Sequence, residues 1–209
     1  MIKVILCDDH AVVRRGIRDT IAEAVDIQVV GEAGSYPELR ELMRKSPCDV
    51  LVLDLNMPGR GGLEVLAALK EEASPVKTLV VSMYPEDQYA IRCLRAGARG
   101  YLNKAGDPAE LVQAIRVVMQ GRKYVTPAVA EMLVDTLNAP ETEELHASLS
   151  ERELQTLQKI ASGRKLSDIA EELMLSPKTV SVYRARVLEK LHLTNNAELT
   201  VYAIRNGLV

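Results

Sequence analysis

The sequence predicts two units in tandem: a doubly wound α/β unit with a five-stranded parallel sheet over residues 1–121, and a small all-α unit over 148–209. A helix and linker over 122–147 join them. Three observations carry this reading. Short Val/Ile/Leu runs alternate with longer amphipathic stretches through the first 121 residues, the signature of parallel βαβ units. The runs are continuously apolar, as strands covered on both faces require. Beyond the polar stretch "NAPETEELHAS" only helical periodicity remains.

The strands are expected at 3–7, 28–32, 49–54, 78–82 and 100–103, and the helices between and after them at 11–24, 36–45, 62–72, 86–96 and 107–120. Right-handed crossovers then give a flavodoxin-like arrangement. "TPAVAEMLVDTL" reads as a further helix, with Thr126 as N-cap and Pro127 at the first helical position. The final unit opens at "LSEREL", where Ser150 and Glu153 form a capping box and Leu149 and Leu154 a hydrophobic staple.

Composition narrows the function classes. With 47% hydrophobic and 26% charged residues the chain is ordinary globular material. No apolar run approaches the roughly 18 residues a spanning helix needs, and "MIKVILCDDH" turns acidic too soon for a signal peptide. A cytoplasmic protein is expected. Cys7, Cys48 and Cys93 have no metal-ligand spacing and read as reduced apolar fillers. Residues 148–209 hold 9 Lys/Arg against 7 Asp/Glu, net +2, while residues 1–147 hold 17 against 22, net −5, so the two units are expected to meet different partners.

Residues 49–61, "DVLVLDLNMPGRG", pose a chemical problem: a strand this apolar ends on Asp54. A carboxylate leaving water needs a partner. In an open parallel sheet, sites form outside the carboxyl ends of the strands. Asp8 and Asp9, Asp54, Ser82 and Lys104 all fall at such ends. One Asp at a strand end is more often a turn or cap residue, and one Lys a solvated one; their joint placement is what points to a site. Clustered carboxylates repel unless a cation compensates, and Mg2+ suits them because it takes carboxylates while leaving positions for phosphate oxygens. Carboxylates are also nucleophiles toward phosphoryl groups, a lysine supplies a point charge to a phosphate oxygen, and a serine hydroxyl donates to another. His10 has no Cys or His partner at ligand spacing and is expected to be a surface bystander.

"CDDH", "VLVLDLNMPGRGGLEVL", "VVSM" and "RGYLNK" resemble, in order and spacing, the response-regulator receiver domain of two-component signalling. The resemblance implies that Asp54 accepts a phosphoryl group from a sensor histidine kinase. It implies Mg2+ held by Asp8, Asp9, Asp54 and the backbone carbonyl of Asn56, with Ser82 and Tyr101 as a switch pair and Lys104 on the phosphate. The loop after Pro58 departs from the usual wording: Arg60 is expected to add a cation near the site, Gly61 and Gly62 still permit a helix start, and Met83 is expected to hinder water.

Residues 162–191 read as two helices joined by a tight turn, a helix-turn-helix. Ile169, Ala170 and Leu173 line the inner face of the first. The second opens with Ser176 as N-cap and Pro177 at its first position, then buries Val180, Val187, Leu188 and Leu191. Its opposite face presents Lys178, Ser181, Val182 and Ala185, flanked by Arg184, Arg186 and Lys190. Small residues near a helix N-terminus fit a major groove, and flanking cations hold phosphates; the blander reading is a basic surface helix that Glu189 dilutes. "LSERE", "IAEEL", "SPKTVSVYRARVLEKL" and "AELTVYAIRNGLV" resemble the LuxR-type helix-turn-helix of NarL/FixJ-class regulators, in the wording of the GacA/UvrY/BvgA-like branch. That likeness implies double-stranded DNA as ligand, with Thr179 inside the recognition motif, and a homodimer formed through the helix around 197–206. Many members carry Lys and His where Ser181 and Tyr183 stand. With 3% aromatic residues and neither Phe nor Trp, single-strand stacking is disfavoured.

Two other classes compete. An aspartate-nucleophile phosphatase also uses Asp and Lys at strand ends, but its nucleophile and acid sit two apart after the first strand, whereas Asp8 and Asp9 are adjacent. Turnover of small phosphoesters separates the readings. A DNA binder whose first unit no longer responds to phosphate leaves the intact acidic set unexplained.

Overall fold

A computed structural model describes residues 1–138 and 145–209. It divides into two compact units, Met1–Pro140 and Glu141–Val209. The middle of the expected linker, 139–144, lies outside the described residues.

The first unit alternates β1 (Ile2–Cys7), α1 (Ala11–Ala22), β2 (Ile27–Ala33), α2 (Tyr36–Lys45), β3 (Val50–Leu53), α3 (Gly62–Glu71), β4 (Lys77–Ser82), α4 (Glu86–Ala96), β5 (Gly100–Asn103) and α5 (Pro108–Met119). All strand pairings are parallel, in the order β2-β1-β3-β4-β5. The chain leaves β1 in one direction to make β2 and returns past it to make β3, so the topological switch point lies between β1 and β3.

Val50, Leu51, Val52 and Leu53 are all buried. One layer of the core is formed by Val4, Leu6, Val50, Val52, Leu79 and Val81 against Ile21 of α1 and Leu111, Ile115 and Val118 of α5. β3 is shorter at both ends than the sequence suggests. Asp49 stands just before it, its N–H donating to the Lys3 carbonyl (2.9 Å), its carbonyl accepting from the Lys77 N–H (3.1 Å) and its carboxylate accepting from the Lys3 N–H (2.8 Å), and Asp54 begins the following loop. The helix expected over 107–120 likewise loses its end residues, because Asp107 is its N-cap and Gln120 its C-cap.

Cys7 and Cys93 are buried, Cys48 is half-buried, and all are free thiols. Cys7 donates to the Met57 thioether (3.3 Å). Burial, reinforced by the charges of Asp8 and Asp54, pushes its thiol up to about 12.

Helix α6 (Pro127–Asn138) follows. Thr126 caps it by accepting from the Val129 N–H (3.4 Å), and the same hydroxyl donates to Glu86 at the start of α4 (2.6 Å).

The second unit contains a short 3-10 turn (Leu145–Ser148), α7 (Glu151–Ala161), α8 (Leu166–Glu172), α9 (Pro177–Lys190) and α10 (Asn196–Arg205). α7 packs against α9 and α10, and α8 packs against α9. The capping box at Ser150 and Glu153 is present, and both staple residues, Leu149 and Leu154, are buried. Ile169, Ala170, Leu173, Val180, Val187 and Leu191 are buried. Leu188, expected among them, is half-buried, being one position round the helix from Val187.

Residues 145–148, the short turn, pack against α9. His146 is buried, with its Nδ1 3.0 Å from the Tyr202 hydroxyl and its backbone N–H donating to the same oxygen (3.2 Å). Four residues are too few to show periodicity, so the turn left no pattern in the sequence.

Candidate functional site

The parallel register brings the strand ends together. The Asp54 N–H donates to the Cys7 carbonyl (2.8 Å) and the Lys104 N–H to the Ser82 carbonyl (2.8 Å), so each ladder runs one residue past its strand and fixes the side chain that follows. At the switch point Lys104 Nζ lies 2.7 Å from Asp8 Oδ2 and 2.8 Å from Asp54 Oδ2. These side chains are 7%, 4% and 2% exposed, so the ion pairs act almost out of water.

Gly62 closes the site from behind. A Cβ there would stand 2.5 Å from the Asp54 carbonyl oxygen, so only glycine lets α3 approach the acidic strand end this closely. Gly61 is the N-cap of α3, in keeping with the expected helix start.

Burial raises the Asp54 carboxyl above the ordinary aspartate range, and the Lys104 ammonium offsets part of that rise. Asp54 Oδ1 is buried and stands outside the ion pair that Oδ2 makes with Lys104, and the Asn56 N–H lends the carboxylate a further stabilising hydrogen bond. Donor atoms of Asp8, Asp9, His10 and Asp54 lie within 4.8 Å of one another. Three carboxylates facing one lysine leave negative charge for a cation, and their hard oxygens suit Mg2+. Asn56 is half-buried in the loop two residues past Asp54.

His10 is more engaged than the sequence indicated. Its Nδ1 lies 2.7 Å from Asp9 Oδ1 and 3.5 Å from Asp8 Oδ1, and its backbone N–H donates to Asp8 Oδ1 (2.8 Å). The Arg60 guanidinium lies 4.7 Å from the centre of the Tyr36 ring, a cation–π contact.

Ser82 and Tyr101 are buried beside one another's strands and share a third residue that the sequence did not single out. Ser82 Oγ accepts from the Tyr84 N–H (3.3 Å), while the Tyr101 hydroxyl and Asn103 Nδ2 donate to the Tyr84 carbonyl (2.8 and 3.3 Å). The Tyr84 ring stacks on Tyr89 of α4, with centroids 4.7 Å apart.

The outward face of α9 is built differently. Ser176 accepts from the Thr179 N–H (3.1 Å), and its hydroxyl is 2.8 Å from the Thr179 hydroxyl, so Thr179 serves the cap. Lys178, Ser181, Val182, Ala185 and Arg186 are exposed on successive turns. Arg184 donates to Asn196 Oδ1 at the start of α10 (2.6 Å). Lys190 is turned inward: its ammonium lies 2.7 Å from Glu153 Oε2 and 3.2 Å from the Ser148 carbonyl.

Comparison with known proteins decides the family. The response regulator receiver domain matches residues 4–116, and the bacterial regulatory proteins of the luxR family match 147–203.

The chain belongs to the response regulators.

This response regulator is 42% identical over 209 residues to the response regulator UvrY of Escherichia coli K12, covering 100% of this chain and 96% of UvrY. It is 40% identical over 210 residues to the response regulator GacA of Pseudomonas aeruginosa, covering 100% and 98%. Among solved structures it resembles RcsB of Salmonella enterica serovar Typhimurium bound to promoter rprA in the presence of phosphomimetic BeF3-, with 26% identity, a TM-score of 0.61, and 96% and 97% of the chains covered. The regulator is therefore a DNA-binding component of a two-component system.

Proposed function

We propose that Asp54 is the phosphoryl acceptor, that a sensor histidine kinase is the donor, and that the LuxR-type unit binds double-stranded DNA as a homodimer in response. The observation that carries this is the placement of Asp54, buried at the switch point with Oδ2 on Lys104 and Oδ1 outside that ion pair. That leaves one carboxylate oxygen available to attack phosphorus, with the lysine placed for the incoming phosphoryl oxygens. Asp8, Asp9 and Asp54, with the Asn56 carbonyl, would hold Mg2+, which supplies charge neutralisation to the phosphoryl oxygens.

The three added oxygens then compete for Lys104 and for the Ser82 hydroxyl. Moving Ser82 withdraws the acceptor of the Tyr84 N–H, and Tyr84 also holds Tyr101. A full inversion from 1:99 to 99:1 needs about 5.5 kcal/mol of differential stabilisation, and charge-assisted contacts at about 1.5–3 kcal/mol each reach it with two or three partners.

On the DNA side, Lys178, Thr179, Ser181, Val182, Arg184, Ala185 and Arg186 form the face that would enter the major groove, with the α9 N-terminus and the cations holding phosphates. The RcsB neighbour, bound to a promoter in the presence of a phosphomimetic, supports coupling phosphate to DNA. Operators would carry two half-sites, and a footprint over one isolated half-site contradicts this. We read the division of labour as receiver 1–121, helix and linker 122–147 and DNA-binding unit 148–209, acting in the cytoplasm. No helix among the described residues is long and apolar enough to cross a membrane.

The test is direct. Wild type incubated with Mg2+ and a small phosphoryl donor should gain one phosphoryl group by intact mass, and Asp54→Asn should gain none. An unchanged wild-type mass overturns the reading.

A further inference from the structure

At the opposite edge of the sheet from Asp54 there is a cleft of about 540 Å³ between the ends of α3 and α4 and the starts of β4 and β5. β4 runs six residues from the cleft to the acidic edge, from Lys77 to Ser82. At roughly 3.3 Å per residue the two sites are about 16 Å apart.

The charged residues lining the cleft are Lys70, Lys77, Arg95, Arg99 and Lys123, all cations, and no carboxylate is among its lining residues. This is unusual for its surroundings, since residues 1–147 carry net −5. Among the described residues no carboxylate pairs with any of the five. Among the described residues the one hydrogen bond from a side chain of the group is Lys70 Nζ donating to the Arg95 carbonyl (3.2 Å).

Two of the five have a local reason to be there. Lys70 and Arg95 stand in the last turns of α3 and α4, where a cation complements the helix dipole. Lys77 opens β4, Arg99 precedes β5, and Lys123 lies beside it because the Tyr124 N–H donates to the Arg99 carbonyl (2.8 Å). No helix end or ion pair accounts for these three. Like charges gathered in a concave surface cost stability by repulsion, and the same arrangement focuses field onto an anion.

Leu69 and Leu94 are buried behind the surface, Ala73, Pro75 and Val76 present its apolar part, and the volume falls within the roughly 300–1,000 Å³ of small-molecule sites. A concave, cation-rich site with one apolar patch fits a compact molecule carrying several phosphates and a planar apolar part better than it fits the convex backbone of a duplex. We propose that this cleft binds a nucleoside di- or triphosphate. The phosphates would lie among Arg95, Arg99 and Lys123, and the base against Pro75 and Val76. Binding involves no covalent step and is independent of phosphorylation at Asp54.

The test uses the full chain, titrated calorimetrically with ATP in the presence of a chelator so that the acidic edge cannot recruit nucleotide through a metal. ATP should bind with a dissociation constant of about 1 mM or tighter. Arg95→Gln/Arg99→Gln should weaken it by roughly tenfold or more, about 1.4 kcal/mol, and Lys123→Gln by less. Asp54→Asn should bind ATP as wild type does. Adenosine should bind far more weakly than ATP. Thermal melting of each variant confirms that it is folded, and Lys123→Gln lies outside every helix and strand. The proposal is overturned by no ATP binding at several times that concentration, by binding that survives the arginine changes in a folded variant, or by ATP binding that is lost with Asp54→Asn. It is also overturned if the same arginines instead reduce affinity for a short DNA duplex and leave ATP unaffected.

Discussion

At the acidic edge, carboxylates and an ammonium group are held at ion-pair distance and almost wholly out of water. Along α9, Lys178 and Arg186 stand in solvent on a helix whose other side is the core. The first arrangement is assembled by topology: side chains from Asp8 to Lys104 meet because parallel strands end together. The second needs only a capped helix and its 3.6-residue period, because all its members lie between 178 and 190. A site of the first kind is internally strained by its own charges and is relieved by a small ion or phosphate. A site of the second kind is nearly neutral to the fold, and its energy appears only when a partner arrives.

That contrast makes stability the sharpest probe. Lys104→Met leaves Asp8 and Asp54 buried without their cation, and should cost about 3–5 kcal/mol in unfolding free energy with chelator present. Added Mg2+ should restore part of it. Urea denaturation at neutral pH measures both, and a variant as stable as wild type would mean that the acidic edge is not held together by charge.

Lys190 tests the boundary between the two kinds of site. It sits on α9 among the candidate DNA contacts, yet it holds Glu153. Burial pushes the Glu153 carboxyl up, but the hydrogen bond from Lys190 and that from the Ser150 N–H outweigh it and leave the group below the usual glutamate range. Lys190→Met should therefore lower stability by about 1–2 kcal/mol, a charge-assisted bond discounted because the lysine is 39% exposed. The sign with pH follows from the lowered value. The contribution is present above the unfolded-state pKa of about 4.3 and is lost as pH falls through the folded-state value. The gap between wild type and variant should accordingly be full at neutral pH and close in acid. If instead stability is unmoved and the salt dependence of DNA binding falls, Lys190 belongs to the outward face.

The sequence carried the acidic edge well because its logic is repetitive. Five apolar runs define a strand set, four of them end in a chemically distinctive residue, and a parallel sheet has only one edge at which those residues meet. Gly61 and Gly62 were legible as a helix start; that Gly62 must be glycine came only from its approach to the Asp54 carbonyl. What stayed hidden depends on side-chain direction. His10 turns toward Asp9, Arg60 toward Tyr36 and Lys190 toward Glu153, and nothing in the spacing of those residues fixes a torsion angle. Tyr84 was hidden for another reason: its backbone, not its side chain, joins Ser82 to Tyr101.

Arg186→Ala should behave in the opposite way to Lys104→Met. The arginine is exposed, so stability should change by no more than about 0.5 kcal/mol. If Arg186 holds a phosphate, affinity should fall for every duplex alike, and the slope of log K against log salt should shrink by about 1. Loss confined to one operator would instead place Arg186 on a base edge.

The smallest effect is expected at Met83, which follows Ser82 at the acidic edge yet is 66% exposed, and so shares features of both regions. An apolar side chain there excludes water from the approach to a phosphorylated Asp54 without touching the charges that hold the site. Met83→Ala should leave stability and phosphoryl uptake unchanged and shorten the half-life of the phosphorylated form by less than about tenfold, under ~1.4 kcal/mol of barrier. Following intact mass after removal of the donor measures it. A half-life that is unchanged or longer in the variant would mean that the buried groups alone, Lys104 and Ser82 among them, set the rate at which water reaches the acyl phosphate, and that the exposed rim of the acidic edge has no part in timing the signal.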